Sequence, residues 1–240
     1  MTSAKHKHNF TVEQLKDITY GVTVLSVSSD GQLLVGQYKD RQLHIYSADG
    51  SHETSINLLG ADTLEDAVWT RRGHIVYTAA NYNNVVVMTQ RGDVIAQTKA
   101  LFPMSLSVST DDVIYLADYR TGIYKSTDDG VTWSHVFKVA DGWQCVQVIR
   151  VSSDSNTQVF WTSETERLNV DNIKRRLRVY TVDKQRAVCD NVTWNDVTLP
   201  SHVAVNFQYT KLAYDGYTNL FVTDCTGGQC VDSMCFNWCH

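Results

Sequence analysis

Ile114-Tyr115-Leu116-Ala117-Asp118 is a short apolar run rich in strand-forming residues and closed by an acid. Four other segments share its form: Leu33-Leu34-Val35-Gly36-Gln37, Ile75-Val76-Tyr77-Thr78-Ala79, Val159-Phe160-Trp161-Thr162-Ser163 and Leu220-Phe221-Val222-Thr223-Asp224. Ala79 lies 42 residues after Gln37, Asp118 another 39 on, Ser163 another 45 and Asp224 another 61. One strand therefore recurs five times.

Its neighbours recur with it. A second apolar run follows at 42–46, 84–88, 122–125 and 177–182, and turn residues come next at Ala48-Asp49-Gly50, Arg91-Gly92-Asp93 and Asp128-Asp129-Gly130. Upstream, Val24-Leu25-Ser26-Val27, Ala67-Val68-Trp69, Leu106-Ser107-Val108 and Val146-Gln147-Val148-Ile149 read as the innermost strand of each unit. No segment after Lys16 carries a helical period. A repeat of roughly 40 residues holding four strands is the pattern of a β-propeller blade. The expected fold is all-β, with about five visible four-stranded blades, either a ring of its own or part of a six-bladed one.

The expected division is a flexible N-terminal tail over 1–9, blades over 10–224 and a cysteine-rich C-terminal tail over 225–240. The long fourth interval is assigned to a solvated loop insertion over 163–176, which is polar and charged. Two readings of the ring follow. In one, residues 10–18 supply the missing outer strand of the last blade and close the ring, removing its open sheet edges; in the other, which the cysteine-rich tail favours, the chain is a piece of a larger, six-bladed propeller.

The chain has 240 residues and a formal net charge of -5, so no global positive field draws it to nucleic acid or to an anionic membrane. No apolar run approaches the length of a membrane-spanning helix. Residues 1–8 are polar and basic and lack the apolar stretch of a secretory signal, which favours the cytoplasm. The sequons Asn9-Phe10-Thr11 and Asn191-Val192-Thr193 would count only in the secretory pathway, and the compartment stays open.

Residues 219–224 and 113–118 resemble the NHL class of propeller repeat. Ser126-Thr127-Asp128-Asp129-Gly130-Val131-Thr132-Trp133 resembles the Asp box of sialidase-like, or BNR, repeats, with Ser126, Asp128, Gly130, Thr132 and Trp133 at its fixed positions. In such a hairpin the Ser and Asp side chains bond turn amides, the glycine takes positive φ and the tryptophan covers the base. The resemblance places the box on the outer side of its blade, away from any active site. Residues 190–194 form a degenerate echo.

Two enzymatic alternatives follow from these resemblances. A sialidase-like glycosidase implies an arginine cluster, a Tyr and Glu pair and a proton donor, but the Arg-Ile-Pro motif is absent. A metal-dependent lactonase or esterase implies calcium in the central channel, with Asp118, Asp224 and Asn81 as the nearest candidates and no acid at Gln37 or Ser163. Cys225, Cys230, Cys235 and Cys239 are weak metal candidates, because their spacing lacks a C-x2-C knuckle. Cys145 and Cys189 are isolated and read as buried small apolar residues. No cofactor is expected.

The favoured function is a non-catalytic binding module for a protein or glycan, acting as a monomer. Loops after each second strand should gather on one rim, carrying Tyr38 and Arg41, Asn81 and Tyr82, then Tyr119 and Arg120. Connections between blades should add Phe102 and Trp143. Tyrosine, tryptophan and arginine are the side chains that interface hot spots favour.

Overall fold

The computed structural model describes residues 22–37, 41–59, 64–79, 83–100, 102–153, 156–167, 173–184, 192–196, 211–214, 219–226 and 229–237. They form strands and turns, with no helix among the described residues. The first sheet holds β1 (Val22–Val27), β2 (Leu33–Gln37), β3 (Gln42–Tyr46) and β4 (His52–Asn57). The second holds β5 (Asp66–Trp69), β6 (Ile75–Ala79), β7 (Asn84–Met88) and β8 (Val94–Lys99), and the third β9 (Pro103–Val108), β10 (Ile114–Asp118), β11 (Gly122–Ser126) and β12 (Ser134–Phe137). The fourth holds β13 (Gln144–Ser153), β14 (Thr157–Arg167), β15 (Ile173–Asp183) and β16 (Val192–Asp196); the fifth holds β17 (Lys211–Tyr214), β18 (Asn219–Thr226) and β19 (Gln229–Asn237).

Each sheet is an antiparallel meander in chain order. First strands lie beside first strands, β1 with β5, β5 with β9, β9 with β13 and β13 with β17. The chain is a β-propeller, with four four-stranded blades and a fifth of three described strands.

Blade packing explains the repeated apolar run. In β2, β6 and β10 every residue is buried, and β6 and β10 have a neighbouring blade on both faces. Alternation divides β6 between two cores: Ile75 and Tyr77 join Val24, Leu34 and Leu43 of blade one, whereas Val76 joins Leu106, Ile114 and Leu116 of blade three. Likewise Tyr115 and Ala117 of β10 face Cys145, Phe160 and Tyr180 of blade four. The outer strands β4 and β8 are mostly exposed; β4 is polar to match, whereas β8 leaves Val94 and Ile95 on the surface.

Polar contacts tie the blades together near the axis. Ser26 Oγ accepts the Trp69 amide at 3.2 Å, Asp66 accepts the Leu106 amide at 2.9 Å, and Gln147 accepts the Leu212 amide at 2.9 Å. Blades three and four are joined by the Arg150 guanidinium, which donates to Asp111 at 2.8 Å. Burial opposes ionisation of Asp111, but Arg150 and the Ser109 hydroxyl outweigh it and hold the carboxyl below its ordinary range.

Two sequence expectations are corrected. The stretch 163–176 is no loop insertion, since β14 continues to Arg167 and β15 begins at Ile173, paired through Glu164↔Arg176 and Glu166↔Lys174. Nor is it solvated throughout, because Glu164 is fully buried. The cysteine-rich segment is no separate tail either. β19 pairs with β18 through Cys225↔Cys230 and Phe221↔Cys235, so cysteines take strand positions in the fifth sheet. Cysteine is a small apolar residue that a strand accommodates, which is why its clustering misleads. Residues 1–9, the closing segment 10–18, Cys189 and Cys239 lie outside the described residues.

Candidate binding rim

Within a meander, successive turns fall at opposite ends of the blade. The loop between β10 and β11 and the connection from β12 to β13 therefore share one end, and the β11–β12 hairpin lies at the other.

At the first end Asp118 organises the turn. Its carboxylate, 1% exposed, accepts the Arg120 amide at 3.0 Å, the Thr121 amide at 3.0 Å, the Thr121 hydroxyl at 2.8 Å and the Phe102 amide at 2.8 Å. With these four bonds Asp118 organises its own turn and ties it to the connection at Phe102. Gly122 closes the turn at φ 106°, where a Cβ would meet the Phe137 carbonyl oxygen at 2.4 Å. The Tyr119 amide donates to the Phe102 carbonyl at 2.8 Å.

With the backbone satisfied, the turn side chains face outward. Arg120 is exposed and Tyr119 half-buried. The Tyr119 and Phe102 rings lie 5.4 Å apart, and the Arg120 guanidinium lies 5.8 Å from the centre of the Phe102 ring. On the blade-four side, Lys138 pairs with Asp141 at 3.0 Å, and the Trp143 amide donates to the Ala140 carbonyl at 3.0 Å.

Trp143 is fixed from below. The Arg176 guanidinium lies 3.6 Å from the centre of one of its rings and donates through Nε to Glu164 at 2.8 Å. Glu164 also accepts the Thr162 hydroxyl at 2.9 Å and the Tyr180 hydroxyl at 2.5 Å. An open cavity of about 440 Å³ results, with Tyr119, Arg120, Lys138, Asp141, Trp143 and Arg167 on its walls.

Of the rim residues expected from sequence, the cavity gathers Tyr119, Arg120 and Trp143. Arg41 is exposed on blade one and is not part of it; its carbonyl accepts the Leu58 amide at 2.7 Å. Tyr38, Asn81 and Tyr82 lie outside the described residues. Sequence reasoning missed Lys138, Asp141 and Arg167 on the walls and the Glu164 to Arg176 support. The paired register of oppositely charged residues on β14 and β15 was the available signal.

The hairpin that resembles an Asp box sits at the other end. Ser126 Oγ accepts the Gly130 amide at 2.8 Å, Asp128 accepts the Thr132 amide at 2.8 Å and the Thr132 hydroxyl at 2.6 Å, and Trp133 Nε1 donates to the Gly130 carbonyl at 2.9 Å. Hydrogen bonds from Thr132 hold the Asp128 carboxyl below its ordinary range. The hairpin wedges against blade two: Asp129 contacts His74, and a Cβ on Gly130 would lie 3.0 Å from Val87.

A Tyr and Glu pair of the kind the sialidase resemblance implies does occur as Tyr180 and Glu164. Tyr180 is only 1% exposed and packs on Phe137 with ring centres 4.7 Å apart. Burial first, and then the Glu164 charge, push its phenol up, which keeps it protonated. Enclosed in the core between blades three and four, the Tyr180 hydroxyl is out of reach of solvent. Burial likewise pushes up the Cys145 thiol. Among the described residues no three His, Cys, Asp or Glu side chains converge as a metal site, and the side chains of Cys225, Cys230 and Cys235 are not among those described.

No protein-family model and no curated protein sequence matches the chain. Solved structures do. A chain of a nidogen/laminin complex aligns with TM-score 0.60 at 13% identity, covering 89% of this chain and 79% of that one. The Dos1 propeller aligns with TM-score 0.58 at 12% identity, covering 91% and 62%. A streptogramin B lyase aligns with TM-score 0.54 at 12% identity, covering 92% and 84%. At such identities the likeness is one of fold, and it supports the propeller.

Proposed function

We propose that the chain is a non-catalytic binding module, of the NHL-like kind with one BNR-type Asp box, that holds a protein or glycan partner at the cavity between blades three and four. The supporting observation is the preorganised pair of Arg120 on a tied turn and Trp143 clamped by Arg176. Side chains fixed before binding lose little freedom on contact, which favours affinity. The similar fold recorded in a nidogen/laminin complex makes a protein partner a natural candidate.

The test is a panel of immobilised glycans and peptides probed with the wild-type chain, a Tyr119→Ala/Arg120→Ala double variant and Lys184→Ala, a change of an exposed residue away from the cavity. The double variant should lose binding that Lys184→Ala retains. Equal effects would refute the rim assignment, and turnover of a generic ester or sialoside would refute the non-catalytic reading.

A further inference from the structure

We propose that the ligand of this rim cavity is a carboxylate-bearing sugar; the inference rests on the binding reading above and deepens it. Three cations, Arg120, Lys138 and Arg167, and one acid, Asp141, line the cavity in a chain whose net charge is -5. Lys138 and Asp141 neutralise each other at 3.0 Å. Arg120 and Arg167 pair with no carboxylate among the described residues. Two guanidinium groups that form no ion pair among the described residues thus border one concavity, against the sign of the molecule as a whole. That pattern selects an anion.

The kind of anion follows from what the walls offer. The amides of Tyr119, Arg120, Thr121 and Trp143 are bonded to Phe102, Asp118 and Ala140, so on these residues it is the side chains that face the ligand. Side-chain forks remain, and a planar guanidinium matches a planar carboxylate with two parallel hydrogen bonds. Tyr119 and Trp143 supply aromatic surface beside the forks. The electron-rich face of an aromatic ring attracts the weakly positive C–H hydrogens of a pyranose. At about 440 Å³ the cavity has the size of a small-ligand pocket. A peptide strand would instead call for an extended groove or sheet edge. A sugar acid satisfies all three features: its carboxylate meets Arg120 and Arg167, and its ring lies against the aromatic pair.

Calorimetric titration with a short oligogalacturonide, the matching neutral oligogalactoside and a glutamate-rich peptide of equal charge tests this. The acidic sugar should bind roughly tenfold or more tightly than the neutral one, and Arg120→Ala and Arg167→Ala should each weaken it by about tenfold, the effect of losing a charged hydrogen bond. Arg120→Lys should restore only part of the affinity, because it keeps the charge and loses the fork. Near-ultraviolet circular dichroism identical to wild type would establish that the variants fold. Equal affinity for the neutral sugar, preference for the acidic peptide, or indifference to both arginines would overturn the proposal. If the sugar acid fails while another panel probe still depends on Tyr119 and Arg120, the ligand class is wrong and the binding reading stands. If no probe depends on them, the binding reading itself has failed.

Discussion

Two of the three hairpin turns of blade three use the same device to opposite ends. In the turn after β10, Asp118 collects amides and a hydroxyl, and Tyr119 and Arg120 are left facing outward. In the turn after β11, Asp128 does the same, but Asp129, Gly130 and Trp133 all press inward against blade two or their own hairpin. An aspartate at a turn satisfies backbone donors in both places. What differs is where the remaining side chains go. The motif most conspicuous in the sequence is a structural wedge, while the plainer turn presents the side chains free to meet a ligand.

The comparison breaks most severely beneath the rim. Glu164 is fully buried and neutralises Arg176, so Glu164→Ala strands a charge and should cost about 3–5 kcal/mol in chemical denaturation, with rim binding weakened as Trp143 loses its clamp. Gly122→Ala follows, at about 2–3 kcal/mol by the same measurement, because positive φ and a clash with the Phe137 carbonyl act together. Asp128→Ala removes the Thr132 bonds of the Asp box and should lower stability by roughly 1–2 kcal/mol, leaving affinity at the rim unchanged. If that variant abolished binding, the division between wedge and rim would be wrong.

A pH series sharpens the same contrast. Asp111 and Asp128 have carboxyl pKa values held below 3.8 in the folded chain. Their contribution is therefore complete above the unfolded value near 4 and is lost as pH falls through the lowered folded values. Asp111→Asn and Asp128→Asn should each flatten the acid limb of a stability profile. The smallest effect on stability belongs to the rim: Arg120→Ala, an exposed change, should fall within about 0.5 kcal/mol of wild type while binding weakens about tenfold.

Much of this fold was legible in the sequence for a physical reason. β2, β6 and β10 are buried at every position and are apolar at almost all of them, so their repeat stands out. The long hairpin of β14 and β15 did not stand out. Its charges, Glu164 with Arg176 and Glu166 with Lys174, pair across strands, and such residues read singly as solvated loop. Tyr119, Arg120 and Trp143 were identifiable because their positions follow from the repeat. Lys138, Asp141 and Arg167 were not, because a cavity between blades draws its walls from distant segments whose meeting only the folded chain shows.

The central claim is that ligand meets the cavity between blades three and four and not the Asp box. Hydrogen–deuterium exchange of the chain with and without saturating oligogalacturonide tests it most directly. Protection confined to residues 119–121 and 138–144 is the predicted result; protection centred on residues 126–133, with the cavity segments unchanged, would contradict it.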